Sequence, residues 1–297
     1  MSFSVVIPLF NKAAYVGRTI DSVLCQTHSD FELVVVDDGS TDDSVHIVEQ
    51  YSDSRIRLVK KSNGGEGSAR NAGIDAAKNE LICFLDADDE WAPWFLEEIH
   101  SLVSRSPNAV LYATAFSVKE QDGSLRQYYQ DGIGRNLANN GVLNYLGCLA
   151  ESQFAISSSS VCVKKRAMQA VGAFDESLKI GADIHAWIRV CFLGHALYSA
   201  RPSAVYRRDA EGRSIDQSGL HGKRLAFLEK LLVLQSEAPQ GGDVLVNLRR
   251  FIAFKAYELA VQSTGHARLD AIAIVNSLRK YLPLRLRINL TLGRSFR

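Results

Sequence analysis

The chain has 297 residues, 46% of them hydrophobic, so it is long enough to bury a full core as one large domain with an appendage. Its 34 basic and 33 acidic residues leave a formal net charge of +1, which excludes a global field that would steer nucleic acid. Five cysteines without C-x-x-C spacing, and the lack of an apolar run of about 18 residues, predict a cytoplasmic protein that is soluble or peripheral at the inner face of the membrane.

The first 118 residues alternate predicted strands with predicted helices. Short β-branched runs predict the strands, and apolar residues at helical spacing predict the helices. The order strand, helix, strand implies parallel pairing with right-handed crossovers, as in an α/β nucleotide-binding fold. The predicted strands cover residues 4–10, 31–36, 56–59, 81–86 and 110–118. The helices between them are predicted to end near residues 26, 51, 77 and 104.

The second predicted strand ends in two carboxylates, Asp37 and Asp38. Ser40 or Thr41 is a suitable N-cap for the helix that follows, because a hydroxyl there accepts from the free amides of the first turn. Both acids precede that cap. We therefore expect them to be free to face a ligand at the carboxyl edge of the sheet.

The strand predicted over residues 81–86 leads into three carboxylates, Asp86, Asp88 and Asp89. Carboxylates this close repel one another and are costly to desolvate, so a cation is the simplest partner that stabilises them. Oxygen ligands favour Mg²⁺ or Mn²⁺, and a metal held by few protein oxygens completes its shell with water and substrate phosphates. Capping of the next helix explains at most one of the three acids. The cluster therefore predicts a metal and phosphate site.

A glycine-rich segment, residues 63–73, follows the third predicted strand. Glycines let backbone amides approach a ligand, and the helix start that follows attracts anions, so the segment suits either a diphosphate or an ordinary turn. Its spacing is neither the G-x-G-x-x-G fingerprint nor a Walker loop.

The regularity falls away after Val118. Residues 119–150 lack a clear period and are interpreted as an acceptor-side region. A helix is predicted to begin near Asp183, because apolar residues recur behind it at helical spacing. The other predicted elements are a strand over 154–163, a helix over 164–171, one or two closing strands over 196–208, and helices over 220–236, 244–263 and 268–281.

Four motifs in order give the sequence a family resemblance: residues 6–11 (VIPLFN), 36–42 (VDDGSTD), 63–71 with NGG and ARN, and 86–89 (DADD). Over about residues 4–208 the chain resembles the inverting family-two glycosyltransferases. The resemblance implies a GT-A type, Rossmann-like mixed α/β sheet flanked by helices. It also implies transfer of a sugar from a nucleotide-sugar donor, expected to be a UDP-sugar, to an acceptor hydroxyl with inversion, in polysaccharide or glycolipid biosynthesis.

The resemblance assigns roles to nine residues. The nucleotide-binding residues would be Pro8, Phe10, Asp37, Asp38, Arg70 and Asp86, with Phe10 and Asp38 at the uracil and Asp86 near the ribose. The metal, Mn²⁺ or Mg²⁺, would be held by Asp88, and Asp89 would contact either the metal itself or a water molecule bound to it. The catalytic base would be Asp183. Structural alternatives are a core position for Phe10, a surface helix position for Arg70 and an N-cap for Asp183.

Two departures from the family pattern bear on that site. Ala182 stands where the family usually has glutamate beside the base, and the loop at residues 206–209 lacks the usual histidine, so that loop is left unassigned. Two rival functions are a sugar nucleotidyltransferase and a non-catalytic nucleotide-sugar-binding module. The first rival needs a basic, glycine-rich loop directly after the first strand, where this chain has Pro8 to Asn11.

We divide the chain into a glycosyltransferase domain, 1–210, and a helical C-terminal extension, 211–297. The domain comprises a nucleotide-binding half, 1–118, and an acceptor-side half, 119–210. After Asp270 the extension has no acidic residue, and arginines alternate with leucines from Leu284 on. Such a tail suits an anionic membrane surface, and a lipid-linked acceptor, as opposed to a free saccharide, would give the protein a reason to bind there. The period of two equally suits an edge strand or a homodimer contact.

Overall fold

The computed structural model describes residues 1–127, 133–210, 220–239, 242–263 and 265–283. Its contacts divide the chain into two compact units. The first unit comprises Met1–Asn144 and Ala155–Gly212, and the second comprises Tyr145–Phe154 and Arg213–Arg297.

The strands that the structure describes all lie in the first unit, whereas helices occur in both. The strands are β1 (Phe3–Leu9), β2 (Phe31–Asp37), β3 (Ile56–Lys60), β4 (Leu81–Phe84), β5 (Glu90–Trp91), β6 (Leu111–Lys119), β7 (Leu125–Gln127), β8 (Val142–Leu143), β9 (Val161–Lys164) and β10 (Ala196–Arg207). The helices are α1 (Ala13–Leu24), α2 (Ser44–Glu49), α3 (Glu66–Ala76), α4 (Phe95–Arg105), α5 (Ile133–Asn136), α6 (Tyr145–Ala150), α7 (Lys165–Ala170), α8 (Ala182–Leu193), α9 (Leu220–Glu237), α10 (Gly242–Gln262) and α11 (Gly265–Ser277). Short 3-10 turns cover Ser158–Ser160 and Arg279–Tyr281.

The strands of the first unit form one mixed sheet in the order β3-β2-β1-β4-β9-β6-β10-β5, with β7 on β6 and β8 on β10. The predicted parallel pairing is confirmed: β1 runs parallel to β2 and β4, and β2 runs parallel to β3. Strand β9 is antiparallel to both of its neighbours, β4 and β6. The parallel strands direct their carboxyl ends to one edge, where the acidic loops follow.

Strand β9 lies between two strands that precede it in sequence by 40 residues or more. The sheet of the predicted nucleotide-binding half, 1–118, is therefore completed by a strand from the predicted acceptor-side half. The functional division at residue 118 stays a prediction.

Helices cover both faces of the sheet because its strands are apolar on both sides. On one face, Val5 and Ile7 of β1 join a buried cluster with the apolar stripes of α1 and α4. On the other face, Phe84 of β4 packs against Phe174 and Trp187, with ring centroids 5.3 and 5.8 Å away. Trp187 belongs to α8, so the stripe predicted behind Asp183 is confirmed as the buried face of that helix.

Helix α3 lies so close to β1 that one position between them has room only for glycine. A Cβ added to Gly73 would stand 2.2 Å from Val6 Cγ1. Gly73→Ala should lower the free energy of unfolding by about 1–3 kcal/mol, because the helix must move off the strand and the gain in helix propensity is smaller than the overpacking. Urea unfolding measures the change. The control is Gly134→Ala in α5, where an added Cβ meets nothing within 4 Å; equal stabilities for the two variants would contradict the prediction.

The predicted cap of α2 is wrong. The helix begins at Ser44, two residues later than a Thr41 cap would place it, and its N-cap is Asp43 without a side-chain cap bond. Ser40 and Thr41 bond to Asn11 in the loop after β1 instead. Those contacts join two loops at the carboxyl edge of the sheet. They are tertiary contacts, which local sequence propensity does not predict.

Several short elements escaped the sequence patterns. Strands β5, β7 and β8 have two or three residues each, too few for a period, and so were not predicted. The strand predicted over 154–163 is confined to β9 because the 3-10 turn takes up the residues before it. One histidine, His185, is buried in α8.

The second unit is helical, and the three helices predicted after residue 220 are confirmed with shifted ends. Its buried residues include Leu231 of α9, with Phe251 and Ile252 of α10. Within the described ranges, no helix combines the length and apolarity needed to cross a membrane. The arginine and leucine alternation from Leu284 on lies outside the described residues.

Candidate active site

The loops after β1 and β2 are joined at the carboxyl edge of the sheet. Asn11 adopts a left-handed φ of 50° and accepts at Oδ1 from the Thr41 amide at 2.8 Å. The Asp38 amide donates to the Leu9 carbonyl at 2.8 Å. Pro8 lies in the β1 register opposite Val36, and Phe10 is 44% exposed. The core alternative for Phe10 is therefore wrong, and its ring is accessible at this edge.

Asp37 and Asp38 are buried, which corrects the expectation that they are free to face a ligand. Asp37 Oδ1 accepts from the Ser40 amide at 3.0 Å and so turns its own loop. Asp38 accepts from the amides of Gly64 and Gly65 at 2.9 and 2.7 Å. Those two amides hold Asp38, so they are not available to a diphosphate.

Asp38 also accepts from Lys61 Nζ at 2.6 Å. Gly65 takes a φ of 93°, which only glycine adopts at little cost, and this places its amide on the carboxylate. The glycine-rich segment is thus shaped around Asp38, which fixes one wall at the end of β2.

Arg70 is the largest polar side chain that the first unit buries. It is only 2% exposed, so the alternative of a surface helix residue is wrong. Its guanidinium pairs with Glu66 at 2.5 Å and Asp86 at 2.7 Å and lies over the Phe174 ring. Burial alone would lower the pKa of Arg70, but the charges of Glu66, Asp86 and Asp183 raise it above its ordinary value. Arg70 therefore stays a fixed cation, paired with Glu66 of its own helix and with Asp86 after β4.

Asp86 and Asp88 follow β4 and keep part of their surface, with 25% and 15% of their side chains exposed. Asp88 Oδ2 pairs with Lys12 Nζ at 2.7 Å. Burial raises the pKa of Asp88, Lys12 opposes that rise, and the charge of Asp86 adds to it. The two carboxylates, each with one cationic partner, therefore keep part of their side chains accessible at the edge.

Asp89 does not join that pair, which corrects the expected convergence of three carboxylates. It is completely buried, with Oδ2 accepting from Ser159 Oγ at 2.5 Å and Oδ1 from the Arg207 amide at 2.8 Å. Burial, followed by the charges of Asp86 and Asp88, holds its pKa well above the usual range. Asp89 thus ties the loop after β4 to β10 and to the serine turn, Ser157–Ser160.

Asp183 lies in the first turn of α8 and is half-buried. The N-cap is Gly181, with a left-handed φ of 70°, so the N-cap alternative for Asp183 is wrong. Asp183 Oδ2 accepts from Ser158 Oγ at 3.0 Å. The charge of Asp183 also helps to raise the pKa of Arg70, the buried cation that pairs with Asp86.

The strand end that sequence left unassigned carries an ion-pair network. Arg207 pairs with Glu90 and with Asp209, each at 2.6 Å, and Arg18 of α1 also reaches Glu90 at 3.1 Å. These contacts close the edge beside Asp88. Lys12, the serine turn and Arg207 were missed because the acids that bring them to the site, Asp88, Asp183 and Asp89, lie 25 to 118 positions away from them. Only the run of four serines was visible as an unusual polar stretch.

The donor set suits a hard divalent cation with few protein ligands. Among the residues that the structure describes, no group of three or more His, Cys, Asp or Glu side chains is placed to hold a metal ion. Two carboxylates, Asp86 and Asp88, nevertheless present oxygens at one edge, and each is paired with a single cation of the protein, Arg70 and Lys12 respectively. Mg²⁺ commonly binds through one or two carboxylates plus substrate phosphates and water, which is the set that this edge can complete.

Comparison with known proteins identifies the family. Residues 4–165, more than half of the chain, match the family model described as glycosyl transferase family 2. An uncharacterized glycosyltransferase of Rickettsia prowazekii is 26% identical over 303 residues, 94% of this chain and 91% of that protein. One from Nostoc sp. is 48% identical over 102 residues, 33% of this chain and 32% of that protein.

Solved structures share the fold. The structure of Staphylococcus aureus TarS 1–349 in complex with UDP-GlcNAc has a TM-score of 0.71 at 19% identity, covering 96% of this chain and 82% of that one. The mannosyltransferase PcManGT from Pyrobaculum calidifontis, in complex with GDP-Man and Mn²⁺, has a TM-score of 0.58 at 17% identity, covering 98% and 79%. The predicted GT-A type fold is confirmed, and a glycosyltransferase is favoured over a nucleotidyltransferase or a binding module. The chain belongs to glycosyl transferase family 2.

Proposed function

We propose that this glycosyltransferase moves a sugar from a UDP-sugar to an acceptor hydroxyl with inversion at the anomeric carbon. One observation carries the proposal: the buried Arg70 pairs with Asp86 after β4, and the serine turn bonds both the Asp86 amide and the Asp183 carboxylate at the start of α8. The acids assigned to the donor and acceptor sides are therefore held by one turn of the chain. The UDP-GlcNAc bound by TarS supports a UDP-sugar, whereas the GDP-Man bound by PcManGT makes a GDP-sugar the alternative to test.

The nucleobase is proposed to lie at the joined loops after β1 and β2. Phe10 offers an exposed ring there for stacking, beside Pro8. Asp38 is buried and accepts from Lys61 and from the amides of Gly64 and Gly65, so it is assigned to shaping the wall of the base pocket. Asp37 acts by holding its loop, and Arg70 acts by fixing Asp86 near the ribose.

The diphosphate is proposed to lie at the edge beyond Asp86 and Asp88, which would hold Mn²⁺ or Mg²⁺. When bound there, the divalent ion supplies positive charge that stabilises the leaving diphosphate. Asp89 is proposed to hold the loop that carries Asp86 and Asp88 in place and not to bind the metal directly, because both of its oxygens already accept hydrogen bonds from the protein. At this edge Lys12 pairs with Asp88 and neutralises its charge.

Asp183 is proposed to take the proton of the acceptor hydroxyl as that oxygen attacks the anomeric carbon. The C–O bond to the diphosphate breaks as the new C–O bond forms on the opposite face, so configuration inverts and no sugar becomes bonded to the protein. A positioned carboxylate base contributes roughly 10²- to 10⁴-fold to such a step.

The test is release of nucleotide from a panel of UDP-glucose, UDP-galactose, UDP-GlcNAc, UDP-GalNAc and GDP-mannose, with Mn²⁺ and water as the acceptor. We expect slow UDP release from at least one UDP-sugar, with the liberated sugar in the inverted configuration by NMR. Faster release of GDP from GDP-mannose would overturn the choice of nucleotide, and retained configuration would overturn the mechanism.

The saccharide or lipid-linked acceptor, membrane contact and a homodimer stay predictions. The basic tail on which the last two depend falls outside the described residues.

A further inference from the structure

A single 3-10 turn reaches both sides of the site. Ser158 and Ser159 project from adjacent positions of that turn, and both are buried. Ser159 Oγ accepts from the Asp86 amide at 3.1 Å and donates to Asp89 Oδ2 at 2.5 Å. Ser158 Oγ donates to Asp183 Oδ2 at 3.0 Å. The donor-side loop and the proposed base are therefore connected to one short piece of backbone.

The turn is held at both ends, so the backbone positions from which its serine hydroxyls project are fixed. Ser157 Oγ accepts from the Ser159 amide at 3.2 Å, and Ser160 Oγ accepts from the Ser157 amide at 3.0 Å, which together form a capping box. Trp91 Nε1 donates to the Ser159 carbonyl at 2.7 Å, which ties the turn to β5. Strand β9 follows the turn directly and lies in the middle of the sheet.

The contact with Ser158 restricts the only freedom that Asp183 has. Helix α8 fixes the Asp183 backbone, but the carboxylate rotates about χ1 and χ2 unless a partner holds it. A hydroxyl that donates to Oδ2 fixes both torsions and leaves Oδ1 as the oxygen for another proton donor. A base needs this placement, since a displacement of about 1 Å costs up to about 10²-fold in rate.

We propose that Ser158 is a positioning residue that directs Asp183 Oδ1 at the acceptor hydroxyl. The inference rests on the proposed role of Asp183 as the base. On this inference, the serine turn keeps a fixed distance and orientation between the donor-side loop, which carries Asp86 and Asp89, and the proposed base, Asp183.

The test is a double-mutant cycle on Ser158 and Asp183, measured as UDP release from the UDP-sugar that the panel selects, with water as the acceptor. Ser158→Ala should lower kcat by about 10- to 100-fold with little change in KM, because a hydrogen bond to a charged group is lost and the donor contacts are not. Ser158→Thr restores the hydroxyl and should recover most of the rate. In the Asp183→Asn background, Ser158→Ala should have no further effect.

The matched control is Ser203→Ala, since Ser203 is also a buried serine whose hydroxyl donates to a nearby carbonyl, that of Arg201. It should lose similar thermal stability with unchanged kcat. An equal fall in kcat for Ser158→Ala in both backgrounds would make its role purely structural and overturn the inference. Normal kcat in Ser158→Ala with a large loss in Asp183→Asn would overturn the inference alone. Normal turnover in Asp183→Asn would overturn the assignment of the base.

Discussion

Asp183→Asn should reduce sugar transfer by roughly 10²-fold or more while UDP binding stays at the wild-type level. The amide keeps the size of the side chain and can still accept from Ser158 Oγ at its oxygen, but it does not take a proton. The helix start should survive as well, because the N-cap is Gly181. Steady-state UDP release and calorimetry of UDP binding measure the two quantities separately.

The matched control for this substitution is Asp175→Asn in the turn before α8. Asp175 accepts from the amide and hydroxyl of Ser177, so it organises its own turn and should be dispensable for proton transfer. Near-normal transfer by Asp183→Asn would place the base elsewhere. A selective loss in Asp175→Asn, or in Glu176→Gln beside it, would then identify the replacement.

Asp88→Asn should abolish most of the effect of Mn²⁺ on UDP affinity. Wild-type protein is expected to bind UDP at least about 10-fold more tightly with Mn²⁺ than without, since the ion would be shared by carboxylate and diphosphate. The variant loses a charged ligand oxygen, and it leaves Lys12 without its carboxylate partner. Calorimetric titrations of both proteins, with and without Mn²⁺, give the comparison. Equal affinities in all four titrations would contradict the predicted metal dependence.

Asp89→Asn separates the two acids of the motif. Both Asp89 oxygens accept hydrogen bonds inside the protein, so this variant should keep the Mn²⁺ effect on UDP affinity, provided that its thermal unfolding shows it to be folded. Loss of the Mn²⁺ effect in folded Asp89→Asn would restore Asp89 as a metal ligand.

Sequence reasoning located the fold well where long periodic segments decide it. The strands β1 to β4 and the helices α1, α4 and α8 follow from apolar runs and apolar stripes that local physics already favours. The position of β9 in the sheet was not predictable, because pairing between residues 81–84 and 161–164 depends on which edge the rest of the chain leaves open.

The site was predictable as a collection of loops and less so as a set of contacts. Motifs placed Asp38 and Asp86 at the carboxyl edge of the sheet, since each follows a strand end, and an apolar stripe placed Asp183 at the start of a helix. They did not show that Asp38 accepts hydrogen bonds from glycine amides or that the side chain of Asp89 is buried. Both outcomes depend on hydrogen-bond donors 26 or more positions away, and a buried carboxylate takes whichever donors the tertiary structure brings to it.

The insertion of β9 between β4 and β6 has a consequence for biosynthesis. A nascent chain that has emerged only as far as β6 already contains the four parallel strands β1 to β4. Strands β4 and β6 nevertheless both lack their shared neighbour, β9, until Lys164 has left the ribosome. Unpaired strand edges favour association with other chains, and pairings distant in sequence form slowly. We therefore expect translational pausing or truncation between residues 119 and 161 to yield an aggregation-prone species that calls on chaperones, whereas release beyond β10 should allow the sheet to close.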